Sequence, residues 1–215
     1  MGIIEKGVNG PFKGKAGSVV GSSWKGINYI KGLPRKNGTK RIPSSQQALQ
    51  QQRFRLLNDF FRPLSDVLNV GLKPMLAKAT GINAAFTLNY EHAFLEDAGN
   101  ISLNYKALQF SRGSLCTAGA EKAWVDNKKV AVTWNIKTYG MGGEMDDIAY
   151  VLVYLPEINV FFSDMQQATR QDGITHVDLL GNNTDTEIHV WLFFADKQQR
   201  RASQTVYIPL ASDHS

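Results

Sequence analysis

Between Ala120 and Leu210 the chain breaks into short apolar runs separated by turn residues, recurring roughly every 8–15 positions, and this spacing restricts the fold more than any other feature. Ala120 to Val125 runs into Asp126-Asn127-Lys128, a turn. Val130, Val132, Trp134 and Ile136 then alternate with Ala131, Thr133 and Asn135, the period-two pattern of a strand with one buried face. Ile148 to Leu155 and Ile188 to Phe194 are apolar on both faces, as central strands are. Ile158–Phe162, Ile174–Leu180 and Ser203–Leu210 complete seven strands. Residues 99–215 therefore read as a seven-stranded immunoglobulin-like β-sandwich with an inward tryptophan on the second strand.

Ahead of it, residues 44–98 carry a helical period. Leu49, Leu56, Phe60, Leu64, Val67 and Leu68 recur at steps of three and four. Ser44 and Gln47 have the spacing of a capping box, and Pro63 must end or kink the first helix. Asn83 to Leu95 reads as a further short helix. The glutamines at 46, 47, 50, 51 and 52 read as a solvated face.

Residues 1–43 form a basic, glycine-rich arm. Nine glycines and nine cations fall within residues 1–41, yet Val19, Val20, Trp24, Ile27, Tyr29, Ile30 and Leu33 are large and apolar. Ser18–Trp24 and Ile27–Leu33 read as a hairpin turned at Lys25-Gly26. A two-stranded hairpin is marginal in water, so the arm is expected to find edge partners on its own body or on another copy. The glycines do not build a phosphate loop. Gly10-Pro-Phe-Lys-Gly14-Lys15-Ala16 has the wrong spacing and lacks the hydroxyl, and Gly14, Gly17 and Gly21 precede a strand rather than a helix.

Charge divides the chain: residues 1–73 hold 13 Lys/Arg against 3 Asp/Glu, a net of +10, and the remainder carries −5. The basic part is expected to meet something acidic: nucleic acid, a membrane surface, or the acidic face of another copy. Trp24, Lys25, Gly26, Tyr29, Lys31 and Arg35 are the candidate contact residues of the arm, and Lys13, Lys15, Lys36, Lys40 and Arg41 the candidate polyanion contacts.

Catalytic and metal-binding patterns are not legible. His92, His176, His189 and His214 share no ligand spacing, Cys116 has no flanking cation, and Glu144, Asp146 and Asp147 do not match a calcium loop. No nucleophile elbow is present, and Ser111-Arg-Gly-Ser114 lacks a placed base. The expectation is a non-enzyme with no cofactor and no metal. No apolar run is long enough to span a membrane. No secretory n-region and h-region open the chain, which points to the cytoplasm or a virion.

Two resemblances extend these readings. Val130-Ala-Val-Thr-Trp134, Tyr150-Val-Leu-Val-Tyr154 and His189-Val-Trp-Leu-Phe-Phe194 resemble the second, third and sixth strands of a fibronectin type III domain. Gly14-Lys-Ala-Gly17, Val19-Val-Gly-Ser-Ser-Trp24-Lys-Gly26 with Leu33-Pro34, Gln47 to Arg55, and Ser111-Arg-Gly-Ser114 give the whole chain a resemblance to a domain-of-unknown-function family of Bacteroidetes and their phages. That resemblance implies organisation rather than chemistry. Three functions stand as expectations: a structural protein that self-assembles through the arm, such as a component of a virion or phage-like particle; a nucleic-acid-associated protein using the basic arm; and an extracellular adhesin or glycan-binding module.

Overall fold

The computed structural model describes residues 2–3, 10, 12–33, 42–77, 79–97, 100–138, 142–164, 167–182, 184 and 186–211. The chain divides into two compact units, Met1–Ser44 and Ser45–Ser215.

The first unit is a four-stranded antiparallel sheet in the order β1-β4-β3-β2, with β1 Gly2–Ile3, β2 Gly14–Ala16, β3 Val19–Trp24 and β4 Ile27–Gly32. The β3–β4 turn is Lys25-Gly26, both at positive φ (46° and 82°). That is the geometry whose twist matches the flanking strands. The hairpin is present, but its edge partners come from the arm itself rather than from the body or another copy. Gly14–Ala16 pairs with one side of the hairpin and Gly2–Ile3 with the other, so the arm supplies its own neighbouring strands. Local pattern could not show this, because β1 and β2 are too short to carry a period.

The second unit opens with α1 (Ser45–Phe61), a 3₁₀ turn at Arg62–Leu64 and α2 (Ser65–Gly71). Pro63 lies in the 3₁₀ turn that separates the two helices. α3 spans Gly81–Asn89, and the Thr80 side chain accepts from the Asn83 amide at its start. The helix read to Leu95 ends at Asn89, and Phe94–Asp97 (β5) instead pairs with Asn100–Leu103 (β6) as a ribbon. Tertiary pairing overrides propensity there. Phe94 joins the helical core and the Arg53 guanidinium lies over its ring.

Seven strands follow: β7 Lys122–Asp126, β8 Lys129–Thr133, β9 Ile148–Leu155, β10 Val160–Ser163, β11 Ile174–Asp178, β12 His189–Ala195 and β13 Val206–Ile208. They form two antiparallel sheets, β11-β8-β7 and β10-β9-β12-β13. The third strand pairs with the sixth across the connection through β11, the crossing that makes an immunoglobulin-like sandwich. The β7–β8 turn at Asn127-Lys128 has both residues at positive φ.

The layering explains why β9 and β12 are apolar on both faces. One face of the four-stranded sheet (Val151, Val153, Val190, Leu192, Phe194) meets Ala123, Val130, Val132 and Val177 of the other sheet. The opposite face (Leu152, Tyr154, Trp191, Phe193) packs on Leu57, Phe60, Phe61, Leu64 and Leu68 of the helices. Every residue of β12 is buried. The helices and the sheets thus share a core. Trp191 is locked at its centre by an edge-on contact with Phe110 and by donation from its indole N–H to the Tyr105 carbonyl at 3.1 Å.

Candidate interaction surface on the N-terminal sheet

Register decides which residues of the first sheet act together. Partnered residues of adjacent strands point to one side, and the sides alternate along each strand. The pairs Lys15↔Val20, Val20↔Lys31, Ser22↔Tyr29 and Trp24↔Ile27 share one face. The other carries Gly14, Ala16, Val19, Gly21, Ile30 and Gly32. Phe12 lies against this second face so closely that a Cβ on Gly21 would come within 2.2 Å of the Phe12 carbonyl oxygen and 2.8 Å of its ring. The small residues there make room for a ring, whereas on the first face Lys15, Trp24, Ile27 and Lys31 are exposed.

Trp24 is 45% exposed and Ile27 50%, side by side at the hairpin tip. The Lys25 ammonium stands 5.3 Å from the Trp24 ring centroid, a cation–π distance. Lys13, Lys15 and Lys31 are exposed, and Tyr29 is half-buried. Trp24, Tyr29, Lys15 and Lys31, separated by up to sixteen positions in sequence, are therefore one surface. Lys25 and Gly26 form the turn that presents it, and Lys13 precedes β2 outside the ladder. Arg35, Lys36, Lys40 and Arg41 lie outside the described residues. The unit carries nine Lys/Arg against a single acidic residue, Glu5, a net of +8, while Ser45–Ser215 carries −3. None of the large apolar side chains described in Met1–Ser44 is buried.

The second unit holds two polar clusters that the sequence did not reveal. The acidic group at 144–147, which matches no calcium loop, contains a fully buried member. Asp147 Oδ2 lies 3.4 Å from Arg170 Nε, and the two side chains are 1% and 0% exposed. Arg170 Nη2 donates to the Cys116 carbonyl at 2.9 Å, and the guanidinium stacks 3.9 Å over the Phe194 ring. The backbone ties the same elements: Arg170 N–H donates to the Asp147 carbonyl and Gln171 N–H to that of Met145. Burial raises the Asp147 carboxyl above its ordinary value, against the lowering influence of the Glu144 amide and Arg170. Gly143, at φ 113°, approaches so closely that a Cβ would sit 3.0 Å from Asp147 Oδ2 and 3.3 Å from Cys116 Sγ. This cluster pins the 142–147 loop to the turn at Arg170–Asp172. Its members are far apart in sequence, and the acidic run showed only that a carboxylate stood before an apolar strand.

The second cluster surrounds His189. Its ring lies 4.3 Å from that of Tyr105, and Nδ1 is 3.0 Å from the Tyr207 hydroxyl. Burial lowers its affinity for a proton, with Glu187 opposing. His92 and His176 are elsewhere in the unit, and His214 lies outside the described residues. Among the described residues no group of three or more His, Cys, Asp or Glu is placed to hold a metal ion, and no helix is long and apolar enough to cross a membrane.

An immunoglobulin-like sandwich buttressed by helices, preceded by a separate cationic sheet with an open aromatic face, defines the class of this protein. Within that class, the chain belongs to the family of unknown function DUF6266, whose model matches residues 11–209. The match begins inside the N-terminal sheet and runs through β13, so both units belong to the family's extent. Comparison with curated proteins and with solved structures gives no match.

Proposed function

We propose that the protein is a non-enzymatic structural component that self-assembles through its N-terminal sheet. The observation that carries this reading is a four-stranded sheet with no buried large side chain among its described residues, set on a chain whose other unit has a full core. A sheet gains independent stability from a covered apolar face. Here Trp24, Ile27 and Leu33 are exposed and Val19, Val20 and Ile30 are only half-buried. A second copy supplies both the missing cover and opposite charge, since residues 1–44 carry +8 and the rest of the chain −3. Contacts of sheet to body are heterologous, and such contacts build rings or open filaments. A repeating particle such as a virion or phage-like assembly is the setting that this geometry suits.

The test is light scattering on a sizing column with the full chain and with a variant lacking residues 1–44. The full chain is expected to elute as an assembly and the truncated chain as a monomer. Equal assembly by the two, or a monomeric full chain at concentrations near 100 μM, would remove the proposal.

A further inference from the structure

We infer that the outward face of the N-terminal sheet, built from Lys15, Val20, Tyr29, Lys31, Trp24 and Ile27, binds single-stranded nucleic acid. This goes beyond self-assembly and does not depend on it. The register is the ground for it, because it sets two rings and two lysines on one side of adjacent strands, with Lys25 at the turn. A single strand needs two things from such a surface: cations spaced along its phosphates, and flat faces for its unpaired bases. Trp24 supplies an exposed ring at the tip, and Tyr29 a half-buried one two positions from Ile27 on the same face. Lys31 and Lys15 flank Val20 on either side, one on each neighbouring strand. The net charge of residues 1–44, +8, favours a polyanion.

The same geometry disfavours a duplex. Paired bases offer no free face to Trp24 or Tyr29. The acidic body of another copy is the competing occupant, and it offers carboxylates to the lysines but no flat bases to stack on the rings. An oligonucleotide uses both.

The experiment is fluorescence anisotropy with the full chain and a labelled, mixed-sequence 20-nucleotide DNA strand, its RNA counterpart and its duplex. Three lysine–phosphate contacts give a salt slope of about −2, so affinity is expected to fall about twentyfold between 50 and 200 mM salt. Lys15→Gln with Lys31→Gln is expected to reduce the slope to about −0.7, since one contact remains. Trp24→Ala is expected to weaken strand binding about tenfold, with Trp24→Phe keeping most of it, because a ring is retained. Circular dichroism of each variant checks that the fold is kept. Absence of strand binding at 50 mM salt overturns the inference. So does equal affinity for the duplex, or a Trp24→Ala variant that binds as the wild type does. Light scattering on the same samples separates the two proposals: a monomer that binds the strand sinks self-assembly alone, and an assembly that ignores the strand sinks this inference alone.

Discussion

Replacing Arg170 by Met tests the physics of the second unit most sharply. Arg170 and Asp147 are fully buried, and the guanidinium meets its partner through Nε at 3.4 Å while Nη2 holds the Cys116 carbonyl. Met keeps much of the aliphatic stem but loses the guanidinium, and with it the charge, the stacking on Phe194 and the donation to the Cys116 carbonyl. It leaves Asp147 buried with the Glu144 amide as its remaining hydrogen-bond donor. Breaking a buried pair this way costs about 3–5 kcal/mol, a large share of the ~5–15 kcal/mol that stabilises a typical domain. For a unit of this size each kcal/mol lowers Tm by about 2–4 °C, so a fall of about 6–20 °C is expected in thermal unfolding followed by near-ultraviolet dichroism. Pairing the change with Asp147→Asn removes the stranded charge yet keeps an acceptor for Glu144, and is expected to restore most of the loss. The pH dependence has a definite sign. Burial already raises the Asp147 carboxyl, and losing Arg170 removes a lowering influence. A carboxyl raised on folding favours the folded state in acid, and that advantage disappears as pH rises through the folded value. The gap between variant and wild type is therefore expected to narrow as pH falls from about 7 toward 4. A loss below about 1 kcal/mol, or a gap constant over that range, would refute the reasoning.

Thr205→Val removes the oxygen that accepts from the Phe110 and Ser111 amides at 2.9 and 2.8 Å. Stranding two donors is expected to cost about 2 kcal/mol or more in urea unfolding. His189→Phe is expected to flatten part of the acid sensitivity. Burial lowers the His189 pKa below 6.5, so the stability it contributes is lost as pH falls through the folded value, and comparing urea midpoints at pH 7 and 5 reads this directly. Gly21→Val drives a side chain into Phe12 and is expected to destabilise the N-terminal sheet by about 1–3 kcal/mol, seen as faster hydrogen exchange at residues 12–24 with the sandwich amides unchanged.

The sandwich was legible because each of its strands announces itself locally. Val130 and Val132 alternate with smaller residues, Ile148–Leu155 is apolar throughout, and turn residues separate the runs. The Lys25-Gly26 turn was legible for the same reason, since a two-residue connection between apolar runs needs positive φ at its centre. The helix end after Asn89 was not. Phe94 and Leu95 suit a helix as well as a strand, and what decides is the pairing with Asn100–Leu103 and the packing of Phe94 on the helical core. Nor was the helical cover on the four-stranded sheet, because an apolar central strand does not say what lies over it.

The sequence by itself determined the strands and their turns, the amphipathic helices and the concentration of positive charge near the start, since each follows from residues within a few positions of one another. The tertiary structure alone decided that Lys15, Tyr29, Lys31 and Trp24 share a face, that short flanking strands complete the N-terminal sheet, and that Asp147 is buried against Arg170. These are relations between distant positions, fixed by strand register and by the free energy of burying many groups at once, and no local pattern encodes them.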